Sequence, residues 1–192
     1  MFRTVFAILT GVLGAALLHL IIILSLPHFS DRDAYTRIED EGDENHFYML
    51  DNKDDDAGLS NSDPYIRTAV CAFDIDIDEQ PIRLTAKGKV PFWSLSVYDA
   101  ASNEVFSMSD RTSVGGALDL LLASPVQLTG IRKALPPSLA QSILVEVPRA
   151  EGYVVLRAMA PEASFDDAAR NFLSEAGCDV FDDSEIELKS RG

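Results

Sequence analysis

The chain opens on an unbroken apolar run and later switches to a period of two. From Thr4 to Leu26, "TVFAILTGVLGAALLHLIIILSL", 23 residues pass without a formal charge. As a helix rising about 1.5 Å per residue the run measures about 34 Å, enough for a hydrocarbon layer of roughly 30 Å. It predicts one membrane span. The sequence after it, "LSLPHFSDRD", puts Pro27, His28 and Phe29 where a leader-cleavage site needs small residues, so the span reads as a retained anchor. Arg3 and the amino terminus ahead of the run are matched by Arg32 and Arg37 behind it. Charge alone therefore does not orient the span; a short basic N-terminus before a long apolar run is the signal-anchor pattern, which sends the rest of the chain outward.

From Pro64 onward short β runs alternate with turn residues. "IRTAVCAFDI" and "PIRLTAKG" come first, and "PFWSLSVYD" then sets Trp93, Leu95 and Val97 on one face against Ser94 and Ser96 on the other, a half-buried strand. "AASN" turns the chain into "EVFSMS", and "LDLLLAS" is a further apolar strand. "SILVEVP" and "YVVLRAMAP", joined by "RAEG", predict a closing hairpin. Between these runs "SPVQLTGIRKALPPSLAQ" predicts a short helix ending near Pro136 and Pro137. Ser164 and Asp167 predict a capping box for a last helix with Phe165, Ala168, Ala169, Phe172, Leu173 and Ala176 on one face and Gly177 at its C′ position. Seven strands against two helical segments predict a mainly β fold with some α: an antiparallel β-sandwich with a short inserted helix and a C-terminal helix, behind the transmembrane helix.

The stretch between anchor and strands carries 12 acidic residues against three basic ones over residues 31–63. Such a composition predicts a solvated spacer repelled by anionic headgroups, with "HFYML", His46 to Leu50, as an apolar island placed to dock on the domain. "DNKDDDAG" does not fit a calcium loop, because Ala57 falls where the invariant glycine is needed when Asn52 is taken as first residue. The expected organisation is an anchor over 1–28, an acidic linker over 29–63, a β-rich domain over 64–178 and an acidic tail over 179–192.

Composition narrows the chemistry. With 31 acidic and 16 basic residues the net charge is −15, which repels phosphate backbones, so no nucleic-acid partner is expected. All three histidines, His19, His28 and His46, precede the strands. The domain thus lacks the imidazole that Ser/His or Cys/His nucleophiles and most zinc sites use. "VGGA", Val114 to Ala117, lacks the lysine and spacing of a phosphate loop and predicts a turn. No enzyme activity, metal or cofactor is expected. Two minority readings are carried with this one. Asp99, Glu104 and Asp110 around one hairpin are the candidate acid–base carboxylates, and Asp74, Asp76 and Asp78, spaced two apart, are the candidate calcium ligands. For ligand or partner contact the candidates are Trp93, Tyr98, Asp99, Asp110, Arg111 and Arg157, since aromatic and arginine side chains dominate recognition surfaces; core packing for Trp93 and an ion pair between Arg157 and Asp99 are the structural alternatives. In the span, Ala7, Gly11, Ala15 and His19 recur every fourth residue and offer a face to a partner helix or a second copy.

The two cysteines bracket the β domain. In an oxidising compartment Cys71 and Cys178 would pair; in the cytoplasm they would remain two buried thiols, and the orientation of the anchor decides between these. The segments "HFSDRDAYTRI", "DPYIRTAVCAFDI", "FWSLSVYD", "FSMSDR" and "LSEAGC" resemble a family of alphaproteobacterial single-span inner-membrane proteins defined by the domain of unknown function numbered twelve fifty-four. The resemblance runs from the anchor to Cys178 and implies a periplasm-facing domain with Cys71 paired to Cys178. It implies no activity, cofactor or catalytic residue, and the longer acidic linker, the extra "DID" and the tail beyond Cys178 depart from it. The expectation is an inner-membrane, periplasm-facing protein that serves binding or envelope assembly through a protein partner or homo-oligomer. The alternative is a small-ligand or glycan-binding module around Trp93 and Arg111.

Overall fold

The computed structural model describes residues 2–29, 33–43, 45–75 and 80–181. The chain divides into two units, Met1–Asp33 and Ala34–Gly192. The first consists mainly of one helix, α1 (Phe2–Phe29), long and apolar enough over Phe2–Ser25 to cross a membrane.

The second unit is a two-sheet sandwich. Its strands are β1 (Tyr48–Met49), β2 (Ile66–Asp74), β3 (Ile82–Ala86), β4 (Trp93–Asp99), β5 (Glu104–Ser109), β6 (Leu118–Ala123), β7 (Ile143–Glu146), β8 (Glu151–Met159) and β9 (Gly177–Val180). Three helices accompany them: α2 (Ala34–Glu41), α3 (Pro125–Lys133) and α4 (Asp166–Ser174). One sheet has the order β1-β2-β8-β4-β5, the other β7-β6-β3-β9. Pairing is antiparallel except between β6 and β7, which run parallel, with α3 in the connection. The expected mainly β fold with an apolar N-terminal helix is what the chain forms.

The inner faces meet in one core. β4 buries Trp93, Leu95, Val97 and Asp99 in strict alternation with half-exposed residues, as its pattern predicts. Leu84, Leu118, Leu120, Leu122, Val154 and Leu156 fill the space between the sheets. Cys71 on β2 and Cys178 on β9 are both fully buried and form a disulfide with Cα atoms 6.7 Å apart, bolting one sheet to the other. Phe172, Leu173 and Ala169 of α4 join the same core, and α4 packs on β2 and β8.

Five expectations need correction. Residues 34–63 are not a spacer: α2 turns Ile38 onto Val70, Ala72, Tyr153 and Val155 on the outer face of the five-stranded sheet, while Glu39 and Asp40 face solvent. Phe47 is buried and β1 extends that sheet, so the apolar island docks as expected, and the acidic residues around it ride on the solvent side. β7 and β8 form no hairpin, because they belong to different sheets and the "RAEG" turn carries the chain from one to the other. The capping box at Ser164 does not form: Ala163–Phe165 is a 3-10 turn, and the residue preceding α4, Phe165, makes no side-chain cap. A working box sits instead at α3, where the Ser124 side chain accepts from the Gln127 amide and the Gln127 side chain accepts from the Ser124 N–H. Gly177 opens β9 instead of ending α4, and the domain continues past Cys178 to Phe181, which packs with Leu121 and Leu139 against the outside of the four-stranded sheet.

Candidate binding cleft

A concavity lies where β3 runs into β4 and β5 into β6. Trp93 organises it. Its backbone carbonyl accepts from the Asp110 N–H at 3.2 Å and its indole N–H donates to the Gly116 carbonyl at 2.9 Å, so one residue ties down both ends of the β5–β6 loop. Gly115 and Gly116 lie in the left-handed region, φ +67° and +77°, where a side chain would be strained. Gly88 (φ +146°) lets the β3–β4 loop lie on Phe172, since a Cβ there would stand 3.2 Å from that ring.

Between these loops is a cleft of about 420 Å³ lined by Lys87, Gly88, Lys89, Val90, Trp93, Asp110, Gly115, Gly116 and Ala117. A second, of about 440 Å³, shares Lys87 and Ala117 and runs along Arg83, Thr85, Asp119, Gln141 and Ile143. The two clefts adjoin at Lys87 and Ala117.

Four arginines of the domain are committed to ion pairs. Arg67 pairs with Asp166 at 2.7 Å, Arg170 with Asp166 at 2.9 Å and Arg149 with Asp99 at 3.8 Å. Arg83 grips Asp119 through two hydrogen bonds of 3.0 and 2.9 Å and also donates to the Ser138 carbonyl. Lys87, Lys89 and Arg111 enter no ion pair among the described residues, and the two lysines are exposed. Asp110 Oδ1 is buried without a hydrogen-bond partner, a costly state for a carboxylate oxygen.

The sequence candidates fall in different places. Trp93 and Asp110 line the cleft and Arg111 adjoins it, but Trp93 is only 1% exposed and stacks on Phe172 with centroids 6.3 Å apart. Tyr98 and Asp99 lie at the other end of β4, about 20 Å away at a strand rise of about 3.3 Å per residue. Asp99 and Asp110 therefore do not share a site, while Glu104 pairs across from Tyr98. Tyr98 stacks on Tyr153. Arg157 sits mid-sheet between Thr68 and Ser94, five positions along β8 from the Asp99 row, so it cannot be the partner of Asp99; Arg149 is. Gly11, Ala15 and His19 lie on the exposed surface of α1. Of the calcium candidates only Asp74 is among the described residues. Lys87 and Lys89 were missed because a lone "KGK" between strands reads as a turn; its signal was two adjacent cations in so acidic a chain.

Asp99 shows what a committed carboxylate looks like here. Burial pushes its pKa up, but the Asn103 side-chain amide (2.9 and 3.1 Å), the Asn103 backbone N–H (2.8 Å) and then Arg149 outweigh burial and hold it below the usual carboxylate range. A depressed folded pKa stabilises the fold above the unfolded value of about 3.9 and loses that contribution as pH falls below it. The gap in melting temperature between wild type and Asn103→Ala is therefore expected to be widest near neutrality and to shrink toward pH 2.5; a gap constant with pH would contradict this role.

No protein-family model and no curated protein matches the chain. Among solved structures it resembles the VPA0106 protein from Vibrio parahaemolyticus at 15% identity with a TM-score of 0.57, over 80% of this chain and 34% of that one. A weaker likeness, TM-score 0.47 at 10% identity, joins 75% of the chain to 37% of an uncharacterized protein from Burkholderia cenocepacia. The chain thus spans about a third of the length of each, and the first likeness speaks to fold alone.

Proposed function

We propose that this is a single-span inner-membrane protein whose β-sandwich faces the periplasm and works by binding a small ligand in the groove lined by Lys87 and Lys89, without catalysing its conversion. The observation that carries the reading is a conjunction: Lys87 and Lys89, neither in an ion pair, line one cleft together with Asp110, whose carboxylate also enters none among the described residues. A concave site with a few convergent polar groups is the usual form of a small-molecule seat. The buried Cys71–Cys178 disulfide supports an oxidising compartment, and the resemblance to single-span inner-membrane proteins supports the same placement.

Trp93 is the chain's one tryptophan, and it lines the cleft. Fluorescence of the full-length protein in detergent, titrated with neutral, anionic and cationic small molecules in turn, is expected to change saturably with at least one class. A flat response to all three, together with flat calorimetry, would refute the binding reading. Thiol labelling of intact cells addresses the compartment separately: both cysteines are expected to resist alkylation until a reductant is added, and free thiols reached only by a membrane-permeant reagent would place the domain in the cytoplasm.

A further inference from the structure

We propose that the groove is built for an acidic saccharide: a carboxylate on the ligand lies between Lys87 and Lys89, and one of its hydroxyls donates to the Asp110 carboxylate. This deepens the binding reading and rests on it.

Three observations select that class. The first is charge. The molecule as a whole carries −15, yet the groove presents Lys87 and Lys89, and of its two lining acids Asp119 is already held by Arg83. At physiological ionic strength fields decay over about 8 Å, so the two lysines, not the distant acidic surface, set the potential that a bound group meets. An ammonium without a partner at the edge of a cleft suits an anionic group, and a charge-assisted hydrogen bond is about twice as strong as a neutral one.

The second is Asp110. Its half-buried carboxylate lines the cleft and enters no side-chain hydrogen bond or ion pair among the described residues, so it offers an acceptor to a donor there. Phosphate would satisfy the lysines but bring its own negative charge against the Asp110 carboxylate, a repulsion that its remaining P–OH offsets only in part. A ligand carrying both an acid and hydroxyls satisfies both. The third is the shape of Trp93. Neutral sugars are commonly held by stacking on an exposed ring, but Trp93 is edge-bound to Gly116, covered by Phe172 and almost fully buried. The cleft thus has no aromatic platform and must rely on charge and hydrogen bonds. The adjoining cleft, which shares Lys87, is lined by Thr85 and Gln141, polar surface for a second sugar ring.

The test uses the full-length protein in detergent, with Trp93 fluorescence and calorimetry as readouts and sodium glucuronate, glucose and sodium phosphate as probes. Saturable binding of glucuronate is expected, with no detectable glucose binding and weaker phosphate binding. Lys87→Gln with Lys89→Gln is expected to weaken glucuronate about tenfold or more, the loss of one to two charge-assisted contacts, at an unchanged melting temperature. Asp110→Leu, similar in size but without an acceptor, is expected to weaken glucuronate and strengthen phosphate. Glucose binding as tightly as glucuronate would overturn the acidic assignment while leaving the groove a binding site. Tighter glucuronate binding to Asp110→Leu would overturn the hydroxyl contact. Absence of glucuronate binding alongside binding of another class would refute this inference alone, whereas silence with every class would remove the binding reading beneath it.

Discussion

Replacing both Cys71 and Cys178 with alanine is expected to destabilise the sandwich by about 2–5 kcal/mol, a large part of the 5–15 kcal/mol that holds a typical domain together. The bridge closes a separation of 107 residues and joins a strand of one sheet to a strand of the other. Without it the unfolded chain regains the freedom of that long loop, and β9, a four-residue edge strand, is left to its ladder with β3 and the packing of Val180 and the adjoining Phe181. Thermal melts with and without reductant check this. The wild type is expected to melt well below its oxidised value when reduced, and the double variant to ignore reductant. Equal melting temperatures for the oxidised wild type and the double variant would show that the two sheets hold each other without the bridge.

Trp93→Ala is expected to cost about 3–5 kcal/mol, as the removal of a large buried aromatic does. Two losses add to the cavity. Phe172 loses its stacking partner, and the Gly116 carbonyl loses the indole donor that fixes the left-handed turn. Because Asp110 N–H binds the Trp93 backbone and not its side chain, that hydrogen bond survives the substitution. Trp93→Phe separates the effects: it keeps an aromatic against Phe172 but not the hydrogen bond, and is expected to cost much less in stability while loosening the Gly115–Gly116 loop. Denaturant melts of the two variants, with hydrogen exchange at residues 110–117, give the comparison. A Phe variant as unstable as the Ala variant would mean that the hydrogen bond, not the packing, carries the weight.

How much of this was readable beforehand depends on the kind of signal. β4 was legible because one of its faces meets solvent, so its alternation survives; β2 was less so, since α2 covers its outer face and six successive residues are buried. α2 itself was hidden by composition. Its acids made the segment look like a spacer, while Ala34, Tyr35 and Ile38, at helical spacing, formed the one stripe that mattered. The misassigned hairpin shows that turn residues specify a reversal and not a hydrogen-bonding partner: "RAEG" turns the chain, but Val145 pairs with Leu122 and Val154 with Cys71 and Val97. β9 had no periodicity long enough to see, only the cysteine within it. At the cleft, Trp93 and Asp110 could be picked by residue type. The distinction between a ring offered to a ligand and a ring spent on fixing a loop requires the packing of Phe172 and Gly116, which come from remote stretches of chain.

The strand order also governs when the domain can exist. Ile66 at the start of β2 lies opposite Met159, and Ile82 at the start of β3 lies opposite Val180, so each sheet joins an early strand to a late one. Folds dominated by such distant pairings assemble in milliseconds to seconds, far slower than local hairpins. As the chain is delivered from its N-terminus, the β4–β5 hairpin can close early, but the central strand β8 is missing from the five-stranded sheet until residue 159 arrives. Cys71 must wait longer still, for a partner close to the end of the domain. For most of its delivery the nascent chain is thus a set of unpaired strands with a single accessible thiol, the state in which an oxidase or a holding chaperone would find it.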